Sequence, residues 1–128
     1  MSALQLDPLS GDSFQATPTL EGGRLTLRFA GSGDMTAIAP LSTFLQQVHA
    51  EATRLGVSEV SCNLQQLAFM NSSCFKSFVV WIDTVKNARQ GYLIRFLTDP
   101  NVHWQRRSLE ALRRLATNIV EIETAPKI

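Results

Sequence analysis

The residues Leu67-Ala68-Phe69-Met70-Asn71-Ser72-Ser73-Cys74-Phe75-Lys76 stand where one hydrophobic pattern gives way to another. Before them, the run from Val57 to Leu64 places Val60, Cys62 and Leu64 at every second position, the period of a half-buried strand. After them, Phe75, Phe78, Val79, Ile82 and Val85 recur at helical spacing, with Gly91 as the expected stop. The decapeptide therefore reads as a strand-to-helix loop. A strand that feeds a helix calls for a crossover to a parallel neighbour.

The same alternation of elements extends in both directions. Toward the N-terminus, Arg24-Leu25-Thr26-Leu27-Arg28-Phe29 alternates polar and apolar residues after the turn-like Glu21-Gly22-Gly23, and Ala16 to Leu20 is placed to pair with it as a hairpin. Gly31-Ser32-Gly33-Asp34 is expected to break that strand. Leu41, Phe44, Leu45, Val48, Ala52 and Leu55 then form the clearest helical stripe, with Pro40 near its start and Gly56 just past its end. Toward the C-terminus, Tyr92 to Leu97 is strongly β-prone and stops at Asp99-Pro100. A third helix is expected from Asn101, as its cap, to about Ala116, on a stripe of Leu109, Leu112 and Leu115, and Ile119 to Ile122 closes as a strand. The expected fold class is an α/β sandwich: a mostly parallel, mixed β-sheet with right-handed crossovers and helices mainly on one face. Residues 1–15, with Pro8, Gly11 and Asp12, read as a flexible leader, and residues 16–128 as a single domain.

Composition narrows the function classes. The 128 residues are 45% hydrophobic and 18% charged, enough apolar content for one core and incompatible with global disorder. Twelve Lys and Arg against eleven Asp and Glu leave a formal charge of +1, which gives no overall field for holding a polyanion and argues against general nucleic-acid binding. Two cysteines, Cys62 and Cys74, fit neither a disulfide scaffold nor a metal-ligand spacing, so a reducing cytoplasm is the expected compartment. No signal-peptide pattern or stretch of about 20 apolar residues points to export or membrane insertion. No cofactor is implied.

The loop holds the chemistry worth weighing. It sets two hydroxyls at a helix N-terminus, where unpaired backbone N–H groups and the helix dipole tolerate an added phosphoryl group on Ser72. Spacing alone is satisfied equally well by Asn71 or Ser72 acting as the helix cap. Lys76, one turn after Ser72, is placed to meet a phosphate or an acidic partner, or else simply to be solvated. Cys74 reads as a small packed residue rather than a redox thiol, and Cys62 as core. Arg106, Arg107, Arg113 and Arg114 make the basic patch of the third helix, with Glu110 between them and Trp104 ahead as a possible anchor for a partner. The sequence has no Gly-x-Ser-x-Gly elbow, phosphate loop or paired carboxylates, and its histidines, His49 and His103, are isolated, so the reading is non-enzymatic.

The order of elements and this loop resemble the STAS domain (sulfate transporter and anti-sigma factor antagonist) over residues 16 to 122. In that family a Gly-x-x-Asp turn opens the first helix, and Gly31-Ser32-Gly33-Asp34 is similar. The family's third strand ends in Asp-Leu and leads to Asp-Ser-Ser-Gly or Asp-Ser-Thr-Gly, whose first hydroxyl is phosphorylated by a partner serine kinase. Here Asn63-Leu64 and Asn71-Ser72-Ser73-Cys74 stand at those places, so the resemblance gives Ser72 the phosphorylation role and Asp34, Asn71, Ser72, Ser73, Cys74 and Lys76 the partner-binding surface. Two acids have become amides and a glycine has become cysteine, which removes negative charge beside the serine and adds bulk. The loop is also similar to the Asn-Thr-Ser-Ser-x-Lys pattern of STAS-like, threonine-phosphorylated biofilm regulators, matching its Asn71 and Lys76. The resemblance implies a bacterial, cytoplasmic anti-sigma factor antagonist. Its partner would be an anti-sigma factor or serine kinase, or, through the second family, an enzyme making a nucleotide second messenger. An unphosphorylated scaffold that keeps the binding face and has lost the switch is the alternative.

Overall fold

The computed structural model describes residues 4–89, 91–99 and 102–124. Their elements are β1 (Leu9–Ser10), β2 (Phe14–Glu21), β3 (Arg24–Gly33), a 3-10 turn (Met35–Ala37), α1 (Ile38–Leu55), β4 (Glu59–Met70), α2 (Ser72–Lys86), β5 (Leu93–Thr98), α3 (His103–Arg113) and β6 (Val120–Thr124). All six strands join one sheet in chain order, β1-β2-β3-β4-β5-β6. The first three pair antiparallel and the last four parallel, so the sheet is mixed and mostly parallel, as expected. Gly22 and Gly23, both at positive φ, make the two-residue turn that a tight β2–β3 hairpin requires.

Period-two patterning decides which sheet face the helices cover. Leu25, Leu27 and Phe29 of β3, Val60, Cys62 and Leu64 of β4, and Ile94 and Phe96 of β5 are all buried on one side. Phe29 lies at the centre, with ring contacts to Phe14, Phe44 and Phe78, and Phe78 also meets Phe96. On the opposite side Arg24 and Arg95 both reach Glu59, at 2.8 and 3.1 Å, and Arg95 continues to Glu121 and Glu123 on β6. An ion-pair ladder thus laces four strands on the uncovered face. Each exposed pair contributes little, but the shared Arg95 and Glu59 tie strands β3 to β6 together.

Several sequence expectations are corrected. Gly31-Ser32-Gly33 does not break β3, which runs through to Gly33 with register shifts around Ala30 and Ser32. Gly31 sits at φ +93° against β2, where an added Cβ would fall 2.1 Å from the Ser13 carbonyl oxygen. Only glycine fits that bulge. β4 continues six residues past Leu64, taking in the first four residues of the stretch read as a loop. α2 ends at Lys86 rather than near Gly91, and α3 ends at Arg113 rather than Ala116, which leaves Leu115 43% exposed instead of in the stripe. Val79, expected on the buried stripe of α2, is 38% exposed, and Trp81 takes that place. The residue preceding α3 is Val102, which makes no side-chain cap, while the cap expected of Asn101 lies outside the described residues. The boundary drawn at residue 16 falls inside β2: Phe14 and Leu6 are buried in the core, β1 edges the sheet, and the Gln5 amide donates to Glu51 on α1 at 2.7 Å.

Candidate functional site

β3 and β4 stop at the same level, with Gly33 opposite Met70, and the Asn71 amide donates to the Gly33 carbonyl at 2.6 Å. Two chain turns leave the sheet from this point. On the β3 side, Asp34 caps the 3-10 turn: its carboxylate accepts from the Thr36 amide at 3.0 Å, from the Thr36 hydroxyl and from the Ser13 hydroxyl. The Thr36 hydroxyl bond is the main cause holding the Asp34 carboxyl below its ordinary value, so the group stays ionised. On the β4 side, the Asn71 side-chain oxygen accepts from the Ser73 amide at 2.7 Å, which makes Asn71 the cap of α2.

That assignment resolves the choice left open by spacing and frees Ser72 from capping. Ser72 is the first residue of α2 and is exposed, whereas Ser73 is half-buried. Lys76, one turn on, is exposed as well. Cys74 is fully buried, and its thiol lies 3.7 Å from the Gly33 carbonyl oxygen and 3.5 Å from that of Asp34. It stitches the first turn of α2 to the β3 turn. Burial, and secondarily the Asp34 charge, push the thiol's pKa up, so it remains a packed, protonated group and not a nucleophile. Asp34, Asn71, Ser72, Ser73, Cys74 and Lys76 are therefore gathered at one end of the sheet, the polar ones on two turns that Cys74 locks together.

α3 holds this end from the other side. β5 pairs with β4 only as far as Asn63, which leaves the later β4 carbonyls on that flank without a strand partner. Gln105, completely buried, supplies it: its amide nitrogen donates to the carbonyls of Leu64 at 2.7 Å and Leu67 at 3.0 Å, and its oxygen accepts from the Asp99 amide at 3.1 Å. Trp104 donates to the Ala68 carbonyl at 3.0 Å and sets its ring edge-on to Phe75, 5.8 Å away. Trp104 is thus spent inside the fold rather than offered as an anchor. The sequence gives no local sign of the role of Gln105, whose two carbonyl partners are more than thirty residues away. It also passes over Met35, on the 3-10 turn, and Phe69, near the end of β4, exposed at 74% and 52%.

The remaining candidates lie elsewhere. Arg113 pairs with Glu110 within α3, while Arg106, Arg107 and Arg114 are exposed along that helix. His49 bonds through Nδ1 to the Tyr92 hydroxyl at 2.8 Å, and the Trp81 indole donates to the same hydroxyl at 3.0 Å. The indole can only donate to that oxygen, whose own hydrogen is free to go to Nδ1 of a neutral imidazole. Burial favours the same state by lowering the His49 pKa. His49 and Trp81 line a cavity of about 130 Å³ between α1 and α2. Among the described residues no cluster could hold a metal ion, and no helix is long and apolar enough to cross a membrane.

No protein-family model matches the chain, and no curated protein matches it. Among solved structures, an anti-sigma factor antagonist from Mycobacterium paratuberculosis superposes with a TM-score of 0.65 at 14% identity, over 93% of this chain and 91% of that one. The anti-sigma factor antagonist SpoIIAA, in its unphosphorylated form, superposes with a TM-score of 0.54 at 15% identity, over 89% of this chain and 90% of its own. At such identities the likeness establishes a shared fold.

Proposed function

We propose that this chain, which carries the STAS fold of those anti-sigma factor antagonists, is a regulatory protein-interaction module of the bacterial cytoplasm, switched by phosphorylation of Ser72. The observation that carries the reading is the exposed Ser72 hydroxyl, standing on the first residue of a helix whose cap is already supplied by Asn71. Asp34, Met35, Phe69, Ser73 and Lys76 surround it as the contact surface, and buried Cys74 keeps that surface rigid. The expected partner is a serine kinase that also serves as an anti-sigma factor. In the transfer, the Ser72 oxygen bonds to the γ-phosphorus of ATP, the bond to ADP breaks, and the hydroxyl proton passes to the kinase. About −1.5 to −2 charges then sit among exposed apolar residues. The helix terminus tolerates that charge, whereas a partner packed on Met35 and Phe69 would have to desolvate it, so the complex is released while the fold stays intact.

Intact-mass measurement after incubation with ATP and a candidate kinase tests this. One phosphoryl group is expected on the wild type and none on Ser72→Ala; a phosphate still gained by the variant overturns the assignment. A second reading, an unphosphorylated scaffold, is favoured by the amides: Asn63 and Asn71 both serve local backbone bonds, to the Gln65 and Ser73 amides, roles that need no charge. It predicts equal partner affinity for Ser72→Ala and Ser72→Asp, where the switch predicts a loss of about tenfold or more for the aspartate.

A further inference from the structure

The near-neutral formal charge conceals an asymmetry. Along α2, α3 and Arg114, which caps α3, six Lys and Arg face two carboxylates, Asp83 and Glu110. The uncovered sheet face carries Arg24, Arg28 and Arg95 against Glu21, Glu59, Glu121 and Glu123. The helical side is thus basic.

That side also has a gap. α1 packs along α2, but α2 and α3 meet at their two ends: the Phe75 and Trp104 rings at the start, and Lys86, whose ammonium reaches the Leu115 carbonyl at 3.4 Å, at the finish. Between these closures lies a concavity of about 320 Å³, lined by Val79, Ile82, Lys86 and Leu115. Val79 and Leu115 are 38% and 43% exposed, a cost in water that nothing in the described fold relieves. Arg107 and Arg114, seven residues apart and both exposed, run along the solvent side of the α3 wall. Asp83 and Lys86 line this concavity, and Arg107 and Arg114 line the neighbouring one on α3 with Arg106, Glu110 and Ala111.

We propose that the α2–α3 groove docks an amphipathic helical segment of a partner protein, its apolar stripe on Val79 and Leu115 and its acidic edge along Arg107 and Arg114. From Phe75 to Lys86 the groove spans about 16 Å, close to three helical turns. Apolar residues between basic ones suit a helix with one apolar and one acidic edge, whereas a nucleic-acid backbone would leave the apolar strip unmatched. This docking does not require phosphorylation of Ser72.

The probe is a fluorescein-labelled peptide of about 14 residues, helix-forming, with Leu at i, i+3, i+7 and Glu along one flank. It is read by fluorescence anisotropy and by amide chemical shifts of the full chain. The peptide is expected to bind at least about tenfold more tightly than a version with Lys for Glu or a scrambled one, and less tightly as salt rises. Shifts should concentrate at residues 79–86 and 107–115. Arg107→Glu with Arg114→Glu, and separately Val79→Asn, should each weaken binding about tenfold, while Arg28→Glu on the sheet face and Ser72→Ala should not change it. All five positions are exposed, so folding is checked by circular dichroism and is expected to persist. The proposal is overturned by no binding, by equal binding of the scrambled peptide, or by shifts outside the groove. It is equally overturned by displacement of the peptide by duplex DNA at the same charge concentration, or by a concentration-dependent dimer that the Val79→Asn variant dissolves. Because Ser72→Ala is silent here and decisive in the mass measurement, failure of this docking and failure of the Ser72 switch are told apart.

Discussion

α2 and α3 begin at the same end of the sheet and use their first turns in opposite ways. α2 is capped by Asn71, which satisfies the Ser73 amide locally and leaves Ser72 and Lys76 turned to solvent. α3 has no side-chain cap, and its first turn points inward, where Gln105 and Trp104 complete the hydrogen bonding of β4. One helix start presents and the other braces. A rigid platform for an exposed residue requires both, because the segment that carries Asn71 is a strand end that would otherwise have bare carbonyls on its β5 side.

The sharpest way to break this contrast is to remove the brace. Gln105→Leu keeps the volume and leaves the Leu64 and Leu67 carbonyls and the Asp99 amide without their partner. Stability should fall by about 3 kcal/mol or more, since each buried group left unpaired costs about 1–3 kcal/mol. Urea denaturation measures it. A loss under about 1 kcal/mol would mean that β4 holds itself and that α3 is not a brace.

The contrast also explains what was legible. The strands at Arg24–Phe29 and Val57–Leu64 and helix α1 follow from period two and period 3.6, because their partners lie on a regular sheet face. The end of β4 does not, because its buried residues Leu64, Leu67 and Met70 fall every third position. That spacing arises where β3 and β4 slip in register past Arg28 and Gly31, and no strand pattern announces it. β1 is too short to show a period. The site itself was half legible: the loop residues were picked out by their types and their place before a helix, whereas Gln105 is a polar residue made core by carbonyls far away in the chain. Val79 looked like core because it is apolar and near the stripe, and faces a groove instead.

The presenting side predicts smaller effects. Asn71→Ala removes a cap whose partner is a single amide, so about 1 kcal/mol is expected, measurable by the same denaturation. Asn71→Asp should be neutral or slightly stabilising, since a carboxylate caps as well and meets the positive helix end. If Asn71→Ala costs as much as Gln105→Leu, the two starts are both braces and the contrast fails. The neighbouring turn adds a pH signature. The Asp34 carboxyl, lowered from 3.8 chiefly by the Thr36 hydroxyl, stabilises the fold above that ordinary value, and its contribution is lost as pH falls through the lower, native one. Asp34→Asn should therefore lower stability at neutral pH and flatten the acid limb below about pH 4, the two proteins converging at low pH.

The smallest expected change in stability is at Ser72, and it sharpens the contrast most. Ser72 is exposed on the first residue of α2, ahead of amides that the cap leaves pointing outward, and it makes no hydrogen bond within the described residues that its replacement would forfeit. Ser72→Glu adds a negative charge at the positive end of a fifteen-residue helix, a placement worth about 0.3–1 kcal/mol in favour of the fold and screened by salt. Its melting temperature should equal or slightly exceed that of the wild type, with any gain shrinking at high ionic strength. A residue in a structural role would lose stability on gaining a longer charged side chain. A residue held out for recognition should instead change what binds on the Met35 and Phe69 side while leaving the melting curve in place. Destabilisation of Ser72→Glu by more than about 1 kcal/mol would place the hydroxyl in the frame rather than on it.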